Sequence, residues 1–211
     1  MAEKTAVREG YDQLAETYTE SRTIMSPATE IARSFASSFS SADRVLDAGC
    51  GGGEPVLSLL TEHARTVGVD FSRAQLEFAR SNAPSSELAM GDLTQLPYAD
   101  DTFAGIVCYW ALIHVPLAEH QTVIEEFARL LNPGGRLLLI EGTNAWTGEN
   151  EGWLETDVRM EWEIAGETTT ATQLERAGFE IVDQTRVAEN MTDDDSDELP
   201  WVVFEGALVD Y

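Results

Sequence analysis

At 211 residues with 43% hydrophobic content, the chain is long enough for one domain with a substantial core and needs no disulfides. Asp and Glu total 38 against 13 Lys and Arg, a formal net charge of −25; no basic stripe remains for phosphates, so no nucleic-acid partner is expected. No apolar run reaches membrane-spanning length, the N-terminus lacks the layout of a signal peptide, and Cys50 and Cys108 form neither a disulfide framework nor a metal cluster, all as expected of a cytoplasmic protein.

The stretch 4–39 reads as a helical region, two helices broken around Ile24-Met25-Ser26-Pro27. Strands are then predicted at 44–48, 65–70, 86–90, 103–109 and 136–141, alternating with helices near 54–63, 72–82 and 119–131. Such alternation with short turns predicts an α/β fold, a mostly parallel Rossmann-like sheet with helices on both faces. The span 143–170 is irregular and holds Trp146, Trp153 and Trp162. Within it Leu154, Val158 and Trp162 recur every four residues, which predicts an amphipathic helix. A helix near 171–177 leads through Gly178 to a strand at 179–187. The acidic loop Asp193–Glu198 follows, and the last strand, 201–209, makes an edge hairpin. The sheet then has seven strands, the last antiparallel.

The turn from Asp47 to Gly53 sits between the first strand and a helix that Pro55 helps to start. Glycines at 49, 51, 52 and 53 remove side chains that would hold a ligand away from the backbone, and a helix N-terminus after a strand offers a nucleotide-sized crevice. Dinucleotide-binding folds use a similar turn, with an acidic residue about 20 positions on, and Asp70 has that spacing from Gly49. Their third glycine is here Glu54, a carboxylate ill suited to a pyrophosphate and better suited to a cationic ligand such as a sulfonium.

The run Leu46–Gly53 resembles the first motif of the class I S-adenosylmethionine-dependent methyltransferases, and Gly68–Ser72 resembles their second. Gly91–Leu93 with Leu96–Phe103 is similar to their adenine-side motif. Cys108–Pro116 resembles the end of their fourth strand and Leu131–Leu139 the turn into their fifth. Tyr11–Tyr18 is similar to the N-terminal segment that folds over the cofactor in many small-molecule members. The motifs occur in family order across 45–139 and cover about the first two thirds of the chain well. A single domain is expected: a helical cap (1–40), a cofactor-binding core (44–141), and a C-terminal helix with edge hairpin (171–211), with 143–170, which emerges at the sheet edge near the site, as a substrate lid unless its indoles only anchor a capping helix.

It also implies roles. Gly49, Gly51 and Gly53 would admit the methionine and ribose parts of the cofactor, unless they only make a tight turn. Asp47 would hold the loop amides and face the cofactor amine, or act only as a cap. Asp70 would take the ribose diol, Phe71 pack on the adenine, Asp92 accept its amino group, and the Leu93 amide donate to a ring nitrogen. Tyr18, Arg22 and Tyr109 complete the expected cofactor set, with Arg22 as a partner for the methionine carboxylate or an anionic substrate, unless it is an ordinary surface arginine. Tyr11, Trp110, His114 and Trp146 are the expected substrate pocket; packing alone is the other reading of the aromatics. His114 is also the candidate general base, since an imidazole can take a proton from a hydroxyl or amine. No metal is expected.

Lys4 is the only lysine, so nearly all positive charge comes from arginine. Together with the net charge, this resembles cytoplasmic proteins of extreme halophiles, whose surface repulsion is screened by salt. The expected activity is methyl transfer from S-adenosylmethionine to a small molecule, leaving S-adenosylhomocysteine. A non-catalytic module binding the same cofactor and a NAD-dependent oxidoreductase are the alternatives. The expected partner is the small-molecule substrate, without nucleic acid or membrane, and a homodimer is left open as the assembly.

Overall fold

The computed structural model describes residues 4–21, 26–188 and 201–209. Two helices open it, α1 (Lys4–Ser21) and α2 (Pro27–Ala36). The second starts where Ser26 caps it, its hydroxyl accepting from the Thr29 amide at 3.1 Å. Then come β1 (Arg44–Ala48), α3 (Val56–Thr61), β2 (Arg65–Asp70), α4 (Arg73–Asn82), β3 (Glu87–Met90), β4 (Phe103–Cys108), α5 (His120–Leu130) and β5 (Leu131–Gly142). After a small hairpin, β6 (Trp146–Asn150) with β7 (Met160–Ile164), the chain continues through α6 (Glu167–Arg176), β8 (Phe179–Val187) and β9 (Trp201–Leu208). Ser72 caps α4 as Ser26 caps α2, with Gln75 donating at 3.1 Å.

The main sheet has seven strands in the order β3-β2-β1-β4-β5-β9-β8. Pairing is parallel from β3 to β5, while β9 runs antiparallel between β5 and β8. Both faces of the central strands are buried, and alternate residues sort to opposite sides. Val45, Val107, Leu138 and Ile140 meet Phe35, Val56 and Leu60 of α2 and α3. Leu46, Ile106, Leu137 and Leu139 meet Val123, Ile124 and Phe127 of α5 and Leu174 of α6. This is why those strands read as nearly continuous apolar runs. Strand order reverses between β1 and β4, and the crevice at their carboxyl ends is where such sheets hold ligands.

Two expectations are corrected. The helix expected from Leu154, Val158 and Trp162 is absent; β6 and β7 form an antiparallel ribbon there, with Trp162 opposite Gly148, joined through a single 3-10 turn at Trp153–Glu155. Of the three residues only Trp162 lies in a strand; Leu154 falls in the 3-10 turn and Val158 in the link before β7, so three positions at a helical period do not mark one continuous element. The helix after the glycine turn begins at Val56, with Pro55 in the capping position, one or two residues later than expected. Strand β5 is longer than its apolar stretch, because Leu131 already pairs with Phe103. The acidic loop at 193–198 lies outside the described residues. Among those described, no helix is long and apolar enough to cross a membrane.

Candidate functional site

A cavity of about 660 Å³, part of it open to solvent, lies over the carboxyl ends of β1, β2 and β4. Gly49 and Gly51 form its floor, Asp70 and Phe71 stand at the end of β2, and Gly91, Asp92 and Leu93 follow β3. Tyr109, Trp110, Ala111, His114 and Val115 continue from β4, and helix α1 roofs it with Lys4, Tyr11 and Tyr18.

The glycine turn is tight for two reasons. Gly49 donates to the Val69 carbonyl at 2.7 Å, as does Cys50 at 2.9 Å, which folds the loop back over β2. Gly49 has φ +82°, and a Cβ there would stand 2.2 Å from Ala111 Cβ; its missing side chain makes room for the segment after β4. Gly51, at φ +51°, has nothing closer than Gln75 Oε1 at 3.7 Å to an added Cβ, so this glycine leaves space toward the cavity. Gly53 instead packs on Ala79 of α4 and is not part of the lining.

Asp70 is held firmly. Its carboxylate accepts from the Gly51 amide at 2.9 Å and from the Ser72 amide at 2.8 Å. Burial nevertheless pushes its pKa up to about 6, and those amides oppose the rise. Each oxygen keeps a lone pair for a further donor. Asp92 accepts from the Thr94 amide and hydroxyl at 2.9 and 2.8 Å and from Lys4 Nζ at 2.9 Å. Partial burial raises its pKa, but the hydrogen bonds outweigh this and leave it below the usual carboxylate range.

His114 is buried against α1. Its Nδ1 lies 3.2 Å from the Glu161 carbonyl oxygen, which can only accept, so Nδ1 carries the proton in the neutral ring. Nε2 is then the acceptor for the Tyr11 hydroxyl at 2.8 Å. Burial lowers the His114 pKa to about 4, so the ring is neutral near pH 7. Tyr11 is fixed by edge-on rings: Tyr18 at 5.2 Å, Trp153 at 5.7 Å and His114 at 5.2 Å between centroids. Trp110 holds a positive φ of 62°, a strained conformation for a bulky residue that recurs at ligand sites. Trp201 of β9 meets it edge-on at 4.4 Å, and the Tyr109 hydroxyl lies 3.2 Å from Thr29 Oγ1 of α2.

Of the residues expected at the site, Tyr11, Tyr18, Gly49, Gly51, Asp70, Phe71, Asp92, Leu93, Tyr109, Trp110 and His114 line this one cavity. Asp47 does not: it is buried in β1 between Gly68 and Val107, behind the loop. Trp146 is corrected as well. Half exposed, its ring folds over Gly148 on the same face of the β6–β7 ribbon as Trp162, but at the strand's start and outside the cavity lining. Trp153 and Trp162 face inward in its place, 5.6 Å apart, against Tyr11 and His114. Glu54 turns to Ser58 at 2.8 Å and is not in the lining, so its carboxylate does not bear on the ligand as the sequence suggested. Arg22 lies outside the described residues. Lys4 was missed, because a lone lysine in a first helical turn carries no motif.

Missed too was a second buried group beneath the site. His120 of α5 and Glu141 at the end of β5 are fully buried, with Nδ1 and Oε2 3.9 Å apart. Glu163 of β7 lies close by and accepts from the Leu117 amide at 2.8 Å. Burial pushes Glu141 up to about 8 and lowers His120. Both cysteines are buried with raised pKa values, that of Cys108 about 12, which makes them inert thiols. Among the described residues no cluster could hold a metal ion.

Comparison with known proteins agrees with this geometry. A family profile described as a methyltransferase domain matches residues 45–135. The methyltransferase GfsG of Streptomyces halstedii is 34% identical over 163 residues, covering 71% of this chain. The chain spans 57% of that relative's length. Among solved structures, the complex of the Haloferax volcanii Trm112 methyltransferase activator with a putative methyltransferase superposes with TM-score 0.76 at 19% identity, covering 97% of this chain and 98% of that one. The N-methyltransferase NodS of Bradyrhizobium japonicum, solved with S-adenosyl-L-homocysteine, superposes with TM-score 0.71 at 16% identity over 96% and 98% of the two chains.

Proposed function

Because the chain belongs to the class I S-adenosylmethionine-dependent methyltransferases, we propose that it transfers a methyl group from that cofactor to a small uncharged acceptor. The observation that carries this reading is the single cavity that joins Gly51, Asp70 and Asp92 to the aromatic wall ending in His114. The donor set suits the cofactor. Two carboxylates face a molecule that offers a diol and an amino group, and among the described lining residues the one cation, Lys4, is already engaged by Asp92 and Glu119. Asp70 would hold the ribose, Asp92 and the Leu93 amide the adenine, and the Gly49–Gly51 backbone the amino-acid part.

Bound there, S-adenosylmethionine supplies a methyl group already activated as a sulfonium. What remains for the protein is alignment, exclusion of water and a place for one proton. Tyr11, Tyr18, Tyr109, Trp110 and Val115 make an apolar box that excludes water and holds a ring-sized acceptor, alignment being worth up to ~7–11 kcal/mol in ideal cases. Lys4, the one cation among these lining residues, is already engaged by Asp92 and Glu119, which favours an uncharged acceptor over a carboxylate or phosphate. A hydroxyl acceptor placed beside Tyr11 would pass its proton to the Tyr11 oxygen as the Tyr11 proton moves to His114 Nε2. The imidazole becomes cationic as the sulfonium charge disappears, so the net charge of the pocket is unchanged. This makes up for a ring whose resting pKa is only about 4. The β6–β7 ribbon acts as the substrate lid through Trp153, Trp162 and the Glu161 carbonyl.

Calorimetric titration of S-adenosylhomocysteine tests the cofactor assignment, in concentrated potassium chloride as suits a halophile-like surface. NAD runs in parallel, and Asp70→Asn is the variant. Binding of the homocysteine alone, weakened in the variant, is expected; binding of NAD alone would overturn the reading. Product formation with a panel of uncharged hydroxyl compounds then tests catalysis. Tyr11→Phe should lower kcat by about 10²-fold or more while binding the cofactor normally, and unaltered kcat would remove the proton route.

A further inference from the structure

Helix α1 presents Lys4, Tyr11 and Tyr18 to the cavity. The spacing of seven residues drifts only about 20° per step, so all three lie on one stripe. Tyr11, in the middle of the stripe, is tied to His114. Lys4 closes the N-terminal end. Its Nζ reaches Asp92 Oδ2 at 2.9 Å, Thr94 Oγ1 at 3.4 Å and the Glu119 carboxylate. Those acceptors come from opposite walls, since Asp92 and Thr94 follow β3 whereas Glu119 immediately precedes α5. An ammonium carries three donors in a compact head, and here it meets three partner residues, Asp92 through both of its oxygens; a planar guanidinium would not match that arrangement. The chain otherwise uses arginine throughout.

The bonding of Asp92 is uneven. Oδ1 accepts from the Thr94 amide, the Thr94 hydroxyl and Lys4, while Oδ2 accepts from Lys4 alone. One lone pair of Oδ2 is therefore left at the cavity edge. All three charged groups are partly exposed, Lys4 at 27%, Asp92 at 49% and Glu119 at 40%, so salt reaches this end of the helix. The Tyr11–His114 contact in the middle of the stripe is buried and out of its reach.

We propose that Lys4 is a positioning residue for the cofactor: it aims Asp92 Oδ2 at the adenine edge and latches α1 across the occupied cavity, so that release requires this triad to break. The inference rests on the reading of the cavity as the S-adenosylmethionine site. Lys4 itself touches no reacting atom.

The test is the release rate of S-adenosylhomocysteine, followed by tryptophan fluorescence after displacement. The chain, Lys4→Met, Lys4→Arg and Glu119→Gln are compared from dilute buffer to molar potassium chloride. Release from the unaltered chain should quicken with salt. Lys4→Met should release about three- to tenfold faster with a flattened salt dependence, Lys4→Arg should fall between, and Lys4→Met with Glu119→Gln should be no faster than Lys4→Met alone. A purely structural lysine would lower the melting temperature of Lys4→Met and leave release and its salt slope unchanged, and that result overturns the proposal. Lack of equilibrium binding by the unaltered chain would instead sink the cofactor reading, and the latch with it.

Discussion

Glu141 offers a prediction that needs no substrate. Its side chain is fully buried, with His120 of α5 beside it and Cys108 of β4 near enough to feel its charge. Oε1 accepts from the Gly142 amide at 2.9 Å. His120 Nε2 faces the Val115 carbonyl at 2.9 Å and so carries the ring proton, which leaves the Nδ1 lone pair toward Glu141 Oε2. Burial raises the Glu141 pKa from an ordinary 4.5 to about 8, so the folded protein holds this carboxyl neutral where the unfolded chain has it ionised. With a raised acid pKa, the favourable contribution is complete below about pH 4 and is lost as pH climbs through the folded value. At 1.36 kcal/mol per unit, the loss amounts to about 3 kcal/mol near pH 7 and about 5 kcal/mol above pH 8. Glu141→Gln keeps the acceptor for Gly142, offers an amide hydrogen toward His120 and cannot ionise. It should therefore be more stable than the unaltered chain by about 3 kcal/mol near pH 7, by more above pH 8, and by nothing near pH 4. Urea unfolding at fixed salt across that pH range measures the difference. A difference that does not vary with pH, or a Gln variant less stable at pH 8, would refute the assignment of a neutral buried acid.

Two further outcomes concern the site. Gly49→Ala combines positive-φ strain with the contact to Ala111, whereas Gly134→Ala, at φ +72° with no atom within 4 Å, carries strain alone. The first should lose well over 2 kcal/mol and the ability to bind S-adenosylhomocysteine, and the second about 1 kcal/mol without loss of binding; equal losses in urea unfolding would contradict the packing account. Affinity for S-adenosylhomocysteine should fall about tenfold per unit below a midpoint near pH 6, as Asp70 takes up the proton that its burial favours. Asp70→Asn should flatten that profile, and a midpoint near pH 4 would mean the carboxylate is better hydrated than its burial implies.

The sequence by itself determined where the central strands lie along the chain, the glycine turn and the acidic residues that end β2 and follow β3. These are written in local patterns: apolar runs for strands buried on both faces, glycines where φ turns positive, and a fixed spacing between strand ends. The same locality explains what was not legible. Tyr11 and His114 are 103 residues apart, and only the way α1 crosses the mouth brings the phenol to the imidazole. Lys4 finds Asp92 at a similar distance along the chain. The recurrence of Leu154, Val158 and Trp162 runs through a 3-10 turn, a link and a strand, and it was the cross-strand pairing of Met160–Ile164 with Trp146–Asn150 that decided the local structure. Trp146 and Trp162 share one face of that ribbon, but only Trp162 packs against His114 and Trp153, while Trp146 stands half exposed at the strand's start. Glu141 and His120 gave no signal either, since a carboxyl becomes neutral only where surrounding strands and helices exclude water. Periodicity fixes which face of an element is buried; what that face meets is set by packing between distant segments, and there the proton chemistry and charge pairing of this site were decided.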